Sequence, residues 1–142
     1  MVCELTSSYV GLIAGCSTWT RINNVVVSGN VKGSTSVGGI SGYGSGGPTI
    51  KGVVLGGSIE GSGAGRIVSY TNGTTKAYAH KDTLVNGSKV TSSTTGYPNG
   101  KDMTDNESKN QTIYEAVGFN FEPTQDTPYY WYFNYGEINF KK

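Results

Sequence analysis

The sequence is poor in residues that carry chemistry: it has one histidine (His80) and two cysteines (Cys3 and Cys16) in 142 residues. There is no His-Glu-x-x-His, no Cys-x-x-Cys and no second histidine, so zinc chemistry lacks a ligand set. Charged residues make up only 15% and nearly cancel, with a formal net charge of +1. That balance excludes a strongly basic nucleic-acid binder and a polybasic membrane-surface module. It also argues against a coiled coil or a charged disordered tail. No apolar run approaches the ~18 residues that span a bilayer, so membrane insertion is not expected. The opening Met1-Val2-Cys3-Glu4 has neither the basic nor the apolar region of a secretory leader. Acids are scarcest of all where a regular scaffold is expected: between Leu5 and Lys81 only Glu60 occurs. A paired general acid and base is therefore missing from that stretch. The Gly38-Gly39 and Gly42–Gly47 runs lack the Gly-Lys-Ser/Thr ending and following helix of a phosphate loop. No catalytic residue, metal or cofactor is expected, and the chain is not expected to be an enzyme.

What is present is unevenly distributed. Sixteen of the 22 glycines lie in residues 1–66, and ten of the sixteen aromatic residues lie between Tyr114 and Phe140. Between these two regions come Asn72-Gly73, Asn86-Gly87 and Asn99-Gly100, pairs that tolerate positive φ and mark turns.

The first half repeats. Val10-Gly11-Leu12-Ile13-Ala14-Gly15 recurs as Val37-Gly38-Gly39-Ile40-Ser41-Gly42, an offset of 27 residues. Ile22 to Gly33 matches Ile50 to Gly61 at an offset of 28, aligning Val25, Val26 and Val27 with Val53, Val54 and Leu55. A weaker copy starts at Gly65-Arg66-Ile67-Val68 and blurs over Ala77–Thr95, and Cys3–Tyr9 reads as a stub. Within a copy, Val27 to Gly33 and Leu55 to Gly61 alternate with period two, the signature of extended chain. Glycine at this density would cost a helix about 1 kcal/mol per residue. Short strands joined by glycine corners, with a 27–28-residue period, predict a β-solenoid whose like residues stack coil on coil. The expected fold is thus all-β: a right-handed-type β-solenoid of 3–4 coils with a C-terminal cap of one short helix and aromatic strands. One domain covers 1–142, divided into a truncated coil (1–9), repeats at 10–36, 37–64 and, degenerate, 65–95, and a cap at 96–142.

The Gly-Leu-Ile-Ala-Gly and Gly-Gly-Ile-Ser-Gly cores, each followed by Ile-x-x-Val-x-Val/Leu-x-Gly-x-Val/Ile-x-Gly, resemble GLUG-motif repeats. Met103 to Tyr114, then Val117-Gly118-Phe119-Asn120-Phe121 and Trp131-Tyr132-Phe133, are similar to the segment that ends such arrays. The resemblance covers most of residues 8–133. It departs at Ala77–Thr95 and after Gly136, where the family's usual Tyr-Pro-containing ending is absent. Such repeats occur in large bacterial surface or secreted proteins, adhesin-like proteins and the N-terminal regions of IgA-cleaving metalloproteases among them. The resemblance implies an extracellular or cell-surface module of structural and adhesive role. Its expected partners are neighbouring domains of a longer protein and a host or cell-surface glycan or protein. The start in mid-repeat fits a piece of a longer array.

Several residues need a local reading. Thr104-x-x-Glu107 is a capping box and predicts a short helix from about Asp105 to Gln111. That helix and the aromatic strands are expected to cover the open end of the last coil, with Phe119, Phe121, Trp131 and Phe133 as its core. Asp102, Asp105 and Glu107 are a candidate calcium cluster, although acids near a helix N-terminus are ordinary. His80 reads as a surface or turn residue. Cys3 falls at the position of Val31 and Cys16 at that of Tyr43; each reads as a buried thiol, and a Cys3–Cys16 disulfide stays open. The one candidate binding feature is the tyrosine-rich tail. If it is extended, Trp131 and Phe133 face inward, and Tyr130 and Tyr132, with Tyr129 or Tyr135, line the other face. Rings with polar tips suit a sugar or peptide surface, so the alternative function is a carbohydrate-binding module.

Overall fold

A computed structural model describes residues 8–122, 130–134 and 136–141, together with the main chain of residues 2–4. The first coil runs through β1 (Val2–Glu4), β2 (Tyr9–Gly11), β3 (Ala14–Thr18) and β4 (Arg21–Val27). The second runs through β5 (Asn30–Lys32), β6 (Ser36–Gly38), β7 (Ser41–Ser45) and β8 (Thr49–Val54). The third comprises β9 (Ser58–Glu60), β10 (Val68–Thr71), β11 (Thr74–His80) and β12 (Leu84–Val85). β13 (Ser88–Lys89) turns back antiparallel on β12, and β14 (Lys101–Met103) continues the ladder beside β11. Apart from β12–β13, every strand pairing in this body is parallel, in the orders β1-β5-β9-β12, β2-β6, β3-β7-β10 and β4-β8-β11-β14. The chain is a β-solenoid of about four turns.

Like residues stack as the repeats require. Val10 pairs with Val37, Ile22 with Ile50, and Val31 lies between Cys3 and Ile59. The interior divides into two aliphatic columns, one around Ile40, Ile50, Val54, Ile67 and Val68, the other around Val10, Val31, Val37 and Ile59. Each of these side chains leaves water almost completely, a gain of about 1.5–3 kcal/mol per residue. The blurred third copy keeps the pattern too. Ala77, Tyr78 and Ala79 pair with Gly52, Val53 and Val54, and Val85 pairs with Ile59. The spacing has shortened, to 25 residues between Val53 and Tyr78 and 26 between Ile59 and Val85, and tyrosine and alanine stand where the second coil has valine, so its sequence looks worn.

One stretch is out of the expected register. Val25, Val26 and Val27 pair with Gly52, Val53 and Val54, one residue short of the sequence alignment, because the ladder shifts between Ile22 and Val25. Asn24 takes a left-handed conformation (φ 56°) at this point, as a bulge requires. A one-residue slip exchanges the faces of a strand. The bulge therefore decides that Val27 and Val54 face the interior while Val26 and Val53 face outward.

Glycine is indispensable where coils approach most closely. A Cβ on Gly38 would lie 2.0 Å from the Ser41 carbonyl oxygen and 2.7 Å from the Val68 Cα, both main-chain atoms that cannot step aside. Gly38→Ala should lower the unfolding free energy by about 3 kcal/mol, at the upper end of overpacking costs. A urea titration checks this, and an unchanged midpoint would mean that the coils are not held at this spacing.

The C-terminal segment does not lie where it was expected. It contains a 3-10 turn (Glu107–Lys109), a short helix α1 (Gln111–Glu115) and an antiparallel pair, β15 (Tyr130–Asn134) and β16 (Glu137–Lys141). The capping box forms: the Thr104 N–H donates to Glu107 Oε2 (2.8 Å) and the Glu107 N–H to Thr104 Oγ1 (3.3 Å). The single helix over 105–111 is replaced by two pieces because Asn110 is extended and caps anew, its side chain accepting the Thr112 N–H. This segment packs along the flank of the solenoid instead of stoppering its end. Tyr114, Val117 and Phe119 form one cluster with Val53 and Met103, and Val26, Leu55, Tyr78, Trp131, Phe133 and Ile138 pack against it. The reason lies in Val25-Val26-Val27 and Val53-Val54-Leu55. A parallel strand that is apolar without interruption must be buried on both faces. The Val26–Val53–Tyr78 column faces outward and needs a cover.

The end of the last coil is closed by residues assigned from sequence to the degenerate repeat and the cap. Arg66 is fully buried there. Its Nε donates to the Asn99 carbonyl (3.0 Å), and its Nη2 to Asp102 Oδ1 (2.6 Å) and to the Gly100 carbonyl (3.2 Å). Asp102 Oδ1 also accepts the Ser92 N–H.

Candidate functional site

The tyrosine face forms as a two-stranded hairpin. Tyr130 pairs with Lys141, Trp131 with Phe140, Tyr132 with Asn139 and Phe133 with Ile138. Strand alternation sends Trp131 and Phe133 against the flank cluster and leaves Tyr130 and Tyr132 on the opposite side. There the two tyrosine rings lie 6.4 Å apart, and Lys141 Nζ sits 5.8 Å from the Tyr130 ring. With Phe140 they line an open cleft of about 480 Å³. Tyr129 and Tyr135 lie outside the described residues. The arrangement offers flat apolar ring surface, phenol hydroxyls and one ammonium group, which suits a ligand with alternating apolar faces and hydroxyls.

A second cleft, also about 480 Å³, lies on the other side of the hairpin, where Trp131, Glu137 and Ile138 face Val26, Ser28 and Leu55. It adjoins a smaller cavity of about 220 Å³ formed by Leu12 and Ile13 with Val26, Val27 and Ser28. From sequence Val26 and Leu55 are repeat strands and Trp131 is cap core, none of them a site residue, because the cleft exists only where the C-terminal segment crosses the first two coils.

The ionisable residues hold the fold together. Asp102, Asp105 and Glu107 do not converge on a common point but go to three separate partners: Arg66, His80 and the Thr104 N–H. Among the described residues no three His, Cys, Asp or Glu side chains are grouped to hold a metal. The Thr104 main-chain N–H, then the Thr104 hydroxyl, holds the Glu107 carboxyl below its usual range. Asp82 is held low likewise by its hydrogen bond from Lys89. His80 is not a surface turn residue: it ends β11, only 8% exposed. Its Nδ1 accepts the Asp82 N–H (3.2 Å), so the proton sits on Nε2 and is donated to Asp105 Oδ1 (2.8 Å). This bond ties the third coil to the start of the flank segment. The cysteine register is as expected, with Cys3 beside Val31 and Cys16 beside Tyr43. The Cys16 thiol, however, is free and exposed rather than buried or bridged.

A further periodic feature lies on the outside of the coils. Tyr43, Tyr70 and Tyr97 are spaced 27 residues apart, and in the fold they stack into an outer column. The Tyr43 and Tyr70 rings are 5.6 Å apart, Tyr97 meets Tyr70 edge-on at 5.8 Å, and Tyr9 completes the column at 5.2 Å from Tyr43. Only Tyr43 and Tyr70 stack face to face, Tyr9 being tilted and Tyr97 edge-on, and the contacts between successive rings stiffen the coil stack. At the corner after β3, Trp19 is 84% exposed with φ 54°, its indole over Gly46. Comparison of the chain with protein-family models, with curated proteins and with solved structures returns no significant match.

Proposed function

We propose that the chain is a non-catalytic structural and adhesive β-solenoid module of a larger bacterial cell-surface or secreted protein, of the GLUG-repeat kind that its sequence resembles. The observation that supports this reading most is the like-on-like stacking of coils with charged residues spent on ties between them. Arg66 to Asp102 and His80 to Asp105 join the third coil to the C-terminal segment, and Lys32 to Glu60 joins neighbouring coils on the surface. A rigid rod with an aromatic flank displays binding surface at a distance, and its neighbours are the other domains of the parent protein. Beads coated with the folded chain should be retained on immobilised host or cell-surface glycans or proteins above beads carrying the heat-unfolded chain. Equal retention would remove the adhesive role, and turnover of any polysaccharide by the purified chain would remove the non-catalytic one.

A second reading is favoured by the Tyr130–Tyr132–Phe140–Lys141 cleft: a carbohydrate-binding module in which the two tyrosines stack on sugar rings. On a glycan array the chain should then bind a defined set of glycans. Tyr130→Ala and Tyr132→Ala should each weaken binding about three- to tenfold, the worth of one aromatic contact. Unchanged binding by both variants would place any glycan site elsewhere.

A further inference from the structure

The solenoid treats surface charge in two ways. Between β5 and β9, Lys32 lies in register with Glu60, and the two side chains meet at 3.2 Å. On the sheet of β4, β8, β11 and β14, the outward positions carry Arg21, Lys51, Lys76 and Lys101 and no acid. Asp102, the single acid on these four strands, turns inward to Arg66. Lys51 and Lys76 are direct register partners on neighbouring strands, an arrangement in which like charges repel. Among the described residues, neither they nor Arg21 meets a carboxylate at ion-pair distance. Lys101 does have an acid nearby, since it helps to hold the Glu107 carboxyl low. The cations form a band that crosses the sheet from β4 to β14, one on each strand. Thr49 and Thr74 border it, in register with Arg21. This face looks sideways from the coil axis, so a further coil stacked on β4 would lie beside the band and cover none of it.

A surface that keeps such a repulsion is relieved by negative charge from outside, and the shape of the band says of which kind. We infer that this face binds an acidic polysaccharide with one carboxylate per sugar, laid across the coils from β4 to β14. Neighbouring strands are about 4.8 Å apart, close to the advance of a linear polysaccharide per sugar ring. A carboxylate on every ring thus finds a cation on every strand, and the long lysine stems reach groups on either side of the chain. The Thr49 and Thr74 hydroxyls suit the sugar hydroxyls beside them. Nucleic acid fits less well. Tyr78, the tyrosine that these strands turn outward, is half-buried with the Lys101 ammonium over its ring, which leaves no open platform for a base. The inference goes beyond the adhesive reading, which names no face, and it uses no residue of the tyrosine cleft on the hairpin. It rests on neither reading, because the band would hold such a chain whatever protein carries it.

The test titrates the full chain, by calorimetry, with a galacturonate hexamer, the methyl ester of that hexamer and a thymidylate hexamer. The galacturonate should bind saturably, and more weakly as salt is added. The ester, with the same rings and no charge, should bind about tenfold more weakly, the worth of several surface ion pairs lost together. Lys51→Gln and Lys76→Gln should each weaken the galacturonate about two- to fivefold, the worth of one such pair. Lys32→Gln removes the same charge from another face and should leave binding unchanged, as should Tyr130→Ala in the hairpin cleft. Equal binding of the ester, no saturable binding, or full affinity in the Lys51 and Lys76 variants overturns the proposal. An equal loss in Lys32→Gln also overturns it, by showing an effect of net charge alone. Tighter binding of the thymidylate would give the band to nucleic acid, and a loss confined to Tyr130→Ala would give the polysaccharide to the tyrosine cleft; either result sinks the inference.

Discussion

Asp102→Ala should destabilise the protein by about 3–5 kcal/mol, because it leaves a buried guanidinium without its counter-charge. The Arg66 side chain is fully buried and has no exposed surface of its own from which to recover hydration. Its remaining partners are the main-chain carbonyls of Asn99, Gly100 and Val90, which accept hydrogen bonds but carry no net charge. Asp102 also accepts the Ser92 N–H, so the loop that closes the last coil loosens with it. The double variant Arg66→Met/Asp102→Ala should be less destabilised than the sum of the two single variants, by a coupling of about 1–3 kcal/mol. Urea titration of the four proteins completes the cycle. Additive losses would show that the pair contributes no mutual stabilisation and that the end of the solenoid is held by packing alone.

The second large effect is expected at Tyr114, the centre of the flank cover. Its ring meets Phe119 at 5.4 Å and Phe133 at 5.5 Å, and its hydroxyl donates to the Ser108 carbonyl at 2.6 Å. Tyr114→Ala should cost about 3–5 kcal/mol, as for other buried aromatic truncations. The flank segment should detach before the coils melt, giving early hydrogen exchange in residues 111–121 with the Val37 and Ile50 strands still protected. Tyr114→Phe keeps the ring and should cost about 1 kcal/mol for the lost hydrogen bond. Burial raises the Tyr114 phenol from 10.0 to about 12, so the folded state favours the neutral form. Its contribution is complete below the unfolded value of 10.0 and is lost as pH rises from there through about 12. The wild-type unfolding midpoint should therefore fall across that interval, and Tyr114→Phe should remove the part of the fall due to this group. A variant with the same alkaline profile as wild type would place the phenol in water.

The coil stack was legible because its causes are local and periodic. Val10 and Val37, or Ile22 and Ile50, announce each other at a constant offset, and stacking like on like needs nothing more than that period. Tyr43, Tyr70 and Tyr97 share that 27-residue period, but it was recognised only once their rings were seen side by side. Register was less legible. Val25 aligned with Val53 by residue type, but the left-handed turn at Asn24 inserts one residue, and an asparagine in a sequence does not declare a bulge. The roles of the acids were illegible for a related reason. Asp102 meets Arg66 across 36 residues and Asp105 meets His80 across 25, and no spacing rule links them. In the tail, alternation sorted Trp131 and Phe133 from Tyr130 and Tyr132, yet it was silent on which surface the inward pair would meet.

By itself, the order of amino acids determined the strand content, the period of the coils, their aliphatic filling and the two faces of the aromatic hairpin. These follow from short-range sterics and from the alternation of side chains along extended chain. Only the tertiary structure decided that the C-terminal segment lies on the flank, that Arg66 is buried at the last coil and that a cleft forms between the hairpin and Val26, Ser28 and Leu55. The physical reason is that each of these depends on which apolar surface is left uncovered once the coils have stacked. That surface belongs to no single segment until β4, β8 and β11 lie side by side.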